Sequence, residues 1–380
     1  MVFGALVRYI YEAITKKAKV AKKPLIVSII FYIFSIIPFW NYAHFFGIGI
    51  ALMALVPVYL IYIYRKELDA IQIVKYMFGG VLTSAIVGFV LCCLFKIKEF
   101  EIIHYVNERI QFFADNPNYL TIGCLMIIAG IFIAILKHRI NWWTGVLFIS
   151  ICIFIGAQSR SKAFMLMLFL LALVIFFILV LKNKKVGFIV LGVTVCVIAL
   201  LVLVFQDYFE FIIDRFFING NIDIYTITTN RVKLWKHFLS IQFASPINVF
   251  IGMGAWAEVF TVKTETFIGE GCHSIYLEFF YHFGIIGVLL LVWLIYEYIK
   301  VSREENGNCK SFIRLEDLLP LFIILIMGIG EIIIFSPKSF FVPLFLIFIL
   351  NGVKNVPRDS QELARLKIYK QKKRGAKREK

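Results

Sequence analysis

About ten apolar runs, most of roughly 15–24 residues, constrain this chain more than anything else in it. They fall at 24–40, 47–64, 76–95, 118–136, 142–158, 163–181, 186–205, 274–299, 318–335 and 340–353. Hydrocarbon offers a backbone no hydrogen-bond partners, so runs of this length fold as membrane-spanning helices. The shorter ones require tilt or a locally thin bilayer. A 61% hydrophobic composition and a mean hydropathy of +0.86 argue against a soluble all-α core.

Charge orients the bundle. Residues 1–23 carry six Lys/Arg against one acid and residues 354–380 carry eleven against three, which together supply +13 of the +16 net charge. Placing both tails in the cytoplasm puts 29 of 40 Lys/Arg inside, as the positive-inside bias requires. Arg65-Lys66, Lys137-His138-Arg139 and Lys182-Asn183-Lys184-Lys185 then also face the cytoplasm. The expected fold class is an all-α polytopic integral membrane protein of about ten transmembrane helices with both termini cytoplasmic. Residues 1–23 form a basic amphipathic segment, 24–205 hold helices one to seven, and 206–272 form a long outer loop. Residues 273–353 hold helices eight to ten, and 354–380 a basic tail. The Lys370–Arg374 run reads as attraction to an anionic membrane lipid surface, and no recognition fold suggests nucleic acid.

No small-residue cleavage site comes after the first run, so no removable signal peptide is expected. Cys92, Cys93, Cys124, Cys152 and Cys196, of seven cysteines, lie inside expected helices and read as packing residues. Cys272 beside His273 lacks companions at metal-ligand spacing, so no metal site is expected.

The outer loop 206–272 is long for a connection and carries five Lys/Arg and seven acids. Apolar stretches at Phe209–Ile213, Phe216–Ile218 and Trp235–Phe243 predict short amphipathic helices over the outer membrane face. Three polar features share this side. Ser159-Arg160-Ser161-Lys162 fills a tight turn with no acid in it, so Arg160 either faces an external anion or snorkels to the interface. Arg231 precedes Trp235 by one helical turn; its planar fork matches phosphate oxygens, although a solvated loop face would look the same. His273 opens the eighth helix with the proton affinity a general base needs, and Ser274 occupies a capping position. Glu278 and His282, one turn apart, read as a buried hydrogen-bonded pair. Trp256 is a candidate sugar-stacking residue, with packing the plainer reading. No Asp-x-Asp, Walker glycine loop or His-Glu-x-x-His occurs, so no cofactor is expected.

Taken in order, these motifs resemble the bacterial O-antigen polymerase and O-antigen ligase superfamily (the Wzy and WaaL type). The resemblance rests on Ser159-Arg160, Arg231-x-x-x-Trp235, Gly252-Met253-Gly254 after Pro246, and His273-Ser274 with Gly284 further on. Asp115-Asn116-Pro117-Asn118, opening the fourth run, is similar more weakly.

The resemblance implies a GT-C-like, metal-independent glycosyltransferase of the bacterial inner membrane with its active site facing the periplasm. Its donor would be an undecaprenyl-diphosphate-linked oligosaccharide. Arg160 and Arg231 would hold the diphosphate, and His273 would activate the acceptor hydroxyl. Ser159, Lys162, Arg215 and Ser274 are further substrate-binding candidates. Glu258, Glu265 and Glu270 receive no role. A repeat-unit polymerase for O-antigen, capsule or exopolysaccharide is the leading expectation, with a chain-length regulator as a possible partner. A ligase comes second. A lipid-linked polysaccharide flippase comes third, because no internal repeat is visible and few charges lie within the spans.

Overall fold

The computed structural model describes residues 2–15, 63, 70–95, 105–106, 109–110, 117–159, 161–185, 187–189, 192, 228, 230–254, 271–305 and 315–331. Nearly all of the expected spans 24–40, 47–64, 186–205 and 340–353 lies outside these residues, as do Arg160, Arg215, Trp256 and the basic tail. An amphipathic helix α1 occupies Val2–Ile14, within the basic first segment. The other helices are α2 (Ala70–Phe95), α3 (Pro117–Leu136), α4 (Trp142–Gln158), α5 (Lys162–Lys182), α6 (Arg231–Phe243), α7 (Pro246–Ile251), α8 (Ile275–Glu305) and α9 (Leu319–Met327). A two-residue antiparallel pair, Tyr105–Val106 with Arg109–Ile110, is the one sheet among the described residues.

The chain is a multi-pass α-helical membrane protein. Residues 71–91, 118–136, 162–182 and 275–293 are long and apolar enough to cross a bilayer, and α4 is a shorter apolar helix. The sequence limits 118–136, 142–158 and 163–181 agree with α3, α4 and α5 to within a residue.

Helix α3 is the centre of the bundle. It has no polar face, and nearly every residue from Leu120 to Ala134 is buried. Lipid tails are as apolar as leucine, so close approach must come from small residues. Gly130 lets Val74 of α2 sit against it, a Cβ there lying 2.6 Å from Val74 Cγ2. Gly145 of α4 receives Ile135, and Gly156 receives the ring of Phe164. The outward faces of α4 and α5 keep Phe154, Leu166, Phe169 and Phe177 exposed, as a lipid-facing surface does.

Two polar layers close the ends of α3. At one end Lys137 pairs with Asp317 at 2.7 Å and Lys182 with Glu316 at 2.6 Å, the acids coming from a 3-10 turn at Leu315–Leu318. At the other, Asn118 reaches Glu331 at 2.6 Å. The 20 residues of α3 hold the layers about 30 Å apart, the thickness of a hydrocarbon core.

Two elements differ from the sequence reading. The run 318–335 begins as the 3-10 turn and its α-helix stops at Met327. Ile329 and Gly330 fold back onto Ile326 and Met327, and the Gly328 carbonyl accepts from Ile275 N at 2.8 Å. Glu331 therefore stands beyond the helix. Helix α8 is also broken, at Gly284, where φ is 61° and ψ −149°. The break frees three successive carbonyls, and each acquires a donor from the α6–α7 segment. Gln242 Nε2 donates to Phe280 at 2.8 Å, Met253 N to Tyr281 at 2.7 Å, and Gly254 N to His282 at 3.0 Å. Gly252, at φ 83°, lies against the backbone of His282 and Phe283, while Gly284 lies against that of Val249 and Phe250. Any Cβ at either position would meet main chain.

Candidate active site

The polar layer at the Asn118 end is assembled by four parts of the chain. The turn between α4 and α5 supplies the first. Ser159 closes α4 by donating to Gly156 O at 2.7 Å, and Ser161 caps α5 by accepting from Phe164 N. Ser161 Oγ also donates to Asn118 Oδ1 at 2.9 Å. That contact turns the Asn118 amide nitrogen toward Glu331, where it donates to Oε1 at 2.6 Å.

Helix α6 supplies the second part. Asn230, in a left-handed conformation that asparagine tolerates, precedes Arg231 as the first helical residue. Arg231 Nη2 donates to the same Glu331 Oε1 at 2.6 Å. One turn later, Trp235 Nε1 donates to Cys272 O at 2.9 Å. Leu234 and Phe238 fix the helix underneath, Phe238 meeting Tyr281 edge-on with centroids 4.6 Å apart. The Arg-x-x-x-Trp spacing thus has a physical meaning: one face of α6 holds both the carboxylate and the backbone before His273.

His273 is the third part. Its φ of 49° is uncommon for a non-glycine residue, and its neighbours account for it. Cys272 is held from both sides, its carbonyl by Trp235 and its N–H by Glu278 Oε1 at 2.9 Å. On the other side Ile275 N is bonded to Gly328. His273 Nδ1 stands 4.0 Å from Glu331 Oε2 and makes no hydrogen bond. Burial, and then the Arg231 charge, push its pKa down from 6.5 to about 4. The imidazole is neutral at physiological pH and a weaker base than the histidine of ordinary proton affinity expected from the sequence. Glu278 and His282 do pair, at 3.3 Å, in accord with their one-turn spacing.

Glu331, the fourth part, is legible in the sequence only as a charge within an expected span. An acid at membrane depth is a functional signal in itself, and two preceding glycines in Gly328-Ile329-Gly330 are the mark of a helix end. The arrangement brings together Arg231, His273 and, through its amide, Asn118, the last of the Asp115–Asn118 motif. Ser159 bonds Gly156 and Ser161 within its own turn, and Ser161 is the serine that reaches Asn118. Ser274 is buried at the start of α8, and Lys162 begins α5. Arg231, a phosphate-binding candidate by its residue type, already touches an anion among the described residues, Glu331.

Fold and site together define a polytopic helical membrane protein with a cation, a carboxylate and a neutral imidazole gathered at one end of its bundle. Residues 145–292 match the family described as O-antigen ligase, a match that supports the superfamily of O-antigen ligases and polymerases. These are glycosyltransferase-like enzymes. The match takes in Arg231 and His273; Asn118 and Glu331 lie outside it. No curated protein matches the chain.

Proposed function

We propose that the chain is a polysaccharide polymerase. It moves a growing glycan from undecaprenyl diphosphate to a sugar hydroxyl of the next lipid-linked repeat unit, on the outer face of the inner membrane. The observation that carries this reading is the juxtaposition of Arg231 and neutral His273 around Glu331. The proton of the acceptor hydroxyl passes to the imidazole, and the oxygen bonds to the donor's anomeric carbon. The carbon–oxygen bond to the diphosphate breaks, and its electron pair leaves with the carrier. Arg231 and Arg160 meet the charge that grows on that leaving group.

Glu331 and the donor compete for Arg231. Burial is the first cause of the lowered His273 pKa and the Arg231 charge the second; a diphosphate against the guanidinium offsets the second alone. Lys162, Arg215 and Ser274 are proposed to contact substrate, and a chain-length regulator is a proposed partner.

Ligation to a lipid A–core acceptor is the second reading, favoured by the description of the matched family. The two share the chemistry above and differ in acceptor. The test is a gel of surface glycan from a deletion strain complemented with wild type or His273→Ala. Single repeat units on their anchor, restored to a ladder by wild type alone, identify a polymerase. Polymer held on the lipid carrier identifies a ligase. Absence of any repeat unit at the outer face rejects both for a flippase.

A further inference from the structure

Exposed side chains change character along the α6–α7 hairpin. The early exposed positions of α6 are Lys233, Lys236 and Ser240. From the end of α6 onward they are apolar: Phe243 is 64% exposed, Ile247 67% and Phe250 60%. The polar groups of this later part turn inward. Gln242 is buried and donates to both Asn248 O and Phe280 O, while Asn248 Nδ2 donates to Ile241 O at 3.2 Å. A segment lying in water has no need to hide its amides and display its phenylalanines.

Depth gives the second argument. The start of α8 is level with the polar layer, since Ile275 N is bonded to Gly328 three residues before Glu331. Gly284, against which Val249 and Phe250 pack, comes nine residues later, about 13 Å along the helix axis. That is close to the middle of a core about 30 Å thick. Below the break α8 likewise exposes apolar residues, Val288, Leu289 and Val292 among them. The third argument is the backbone. A helix broken at this depth is tolerated only if protein supplies the missing partners, and the carbonyls of Phe280, Tyr281 and His282 all have them.

We infer that residues 242–254 form a re-entrant element that dips from the outer surface to near the bilayer midplane beside the broken α8, with Phe243, Ile247 and Phe250 against lipid acyl chains. Val249 and Phe250, against Gly284, are its deepest part, and the glycines of the Gly252-Met253-Gly254 turn that follows are there because turn and broken helix meet backbone to backbone. It departs from the expectation that short amphipathic helices of the outer loop lie over the outer membrane face. The inference is independent of which glycan, if any, the protein transfers.

The test uses the full chain in lipid nanodiscs. Nitroxide labels are placed by cysteine substitution at Ile247, Phe250 and Lys236, with native cysteines replaced. Relaxation by oxygen, which concentrates in hydrocarbon, is compared with relaxation by a water-soluble nickel chelate. Labels at 247 and 250 are expected to respond several-fold more to oxygen than to nickel, and the label at 236 in the opposite sense. Nickel access at 247 and 250 equal to that at 236 overturns the inference and returns the hairpin to water. If the cysteine-replaced chain does not fold, a benzophenone amino acid at 250 in the otherwise native chain decides. Acyl-chain adducts support the dip, and their absence alongside water quenching rejects it.

Discussion

Gly330 lies so close to Arg231 that a methyl group on its Cα would stand 2.7 Å from the guanidinium Nη1. The glycine is part of the seat on which that cation reaches Glu331. Gly330→Ala leaves every charge in place and pushes the guanidinium aside. Misplacement on this scale costs roughly 10²-fold in turnover. The expected result is a loss of that order in transfer rate with protein level and melting temperature nearly unchanged; native activity in Gly330→Ala would show that the guanidinium position is not critical.

His273 sets a pH dependence. Its folded pKa, near 4, lies below the ordinary 6.5, so the neutral base persists as pH falls through the usual histidine range. The kcat/KM value, which reports the free enzyme, is expected to stay level across that range and to fall only as pH nears 4. The unfolded chain takes up the proton first, so the same shift lowers fold stability as pH drops from 6.5 toward 4. Arg231→Ala removes the second cause of the shift and should raise the imidazole pKa, read by NMR titration of purified protein. An unchanged pKa would break the link between the two residues.

The opposite polar layer provides a contrasting case. Asp317→Ala leaves the buried Lys137 charge without its carboxylate, a change expected to cost about 3–5 kcal/mol of stability. It lies a full bilayer from His273, so turnover per folded molecule should be preserved. Thermal unfolding in detergent alongside rate per active protein separates the two effects.

Gln242→Leu preserves approximate volume and removes the donor shared by Asn248 and Phe280. Two carbonyls then lose a partner in a water-poor setting, at about 1–3 kcal/mol each. A lowered melting temperature, with greater proteolysis between α6 and α8, is the expected reading; an unchanged melting curve would mean water already reaches those carbonyls.

Hydropathy alone locates α3, α4 and α5, because a helix surrounded by lipid or by other apolar helices needs no pattern beyond its length. Residue types also point to Arg231 and His273, since few charged groups occur near spans without a task. Glu331 escapes, because its meaning lies in contacts with residues 100 and 213 positions away. The short α9 escapes because the run stays apolar past Met327, and glycines, not hydropathy, end the helix. The break in α8 escapes for a related reason: Gly284 reads as a close-packing glycine until its φ is known.

A single oxygen of Glu331 receives both Asn118 and Arg231. The acid follows the other site members in the chain, Asn118 by 213 positions and Arg231 by 100. A chain synthesised past His273 but short of residue 331 therefore holds the arginine and histidine without the atom that registers them. The site is thus expected to assemble only after residue 331 has joined the bundle.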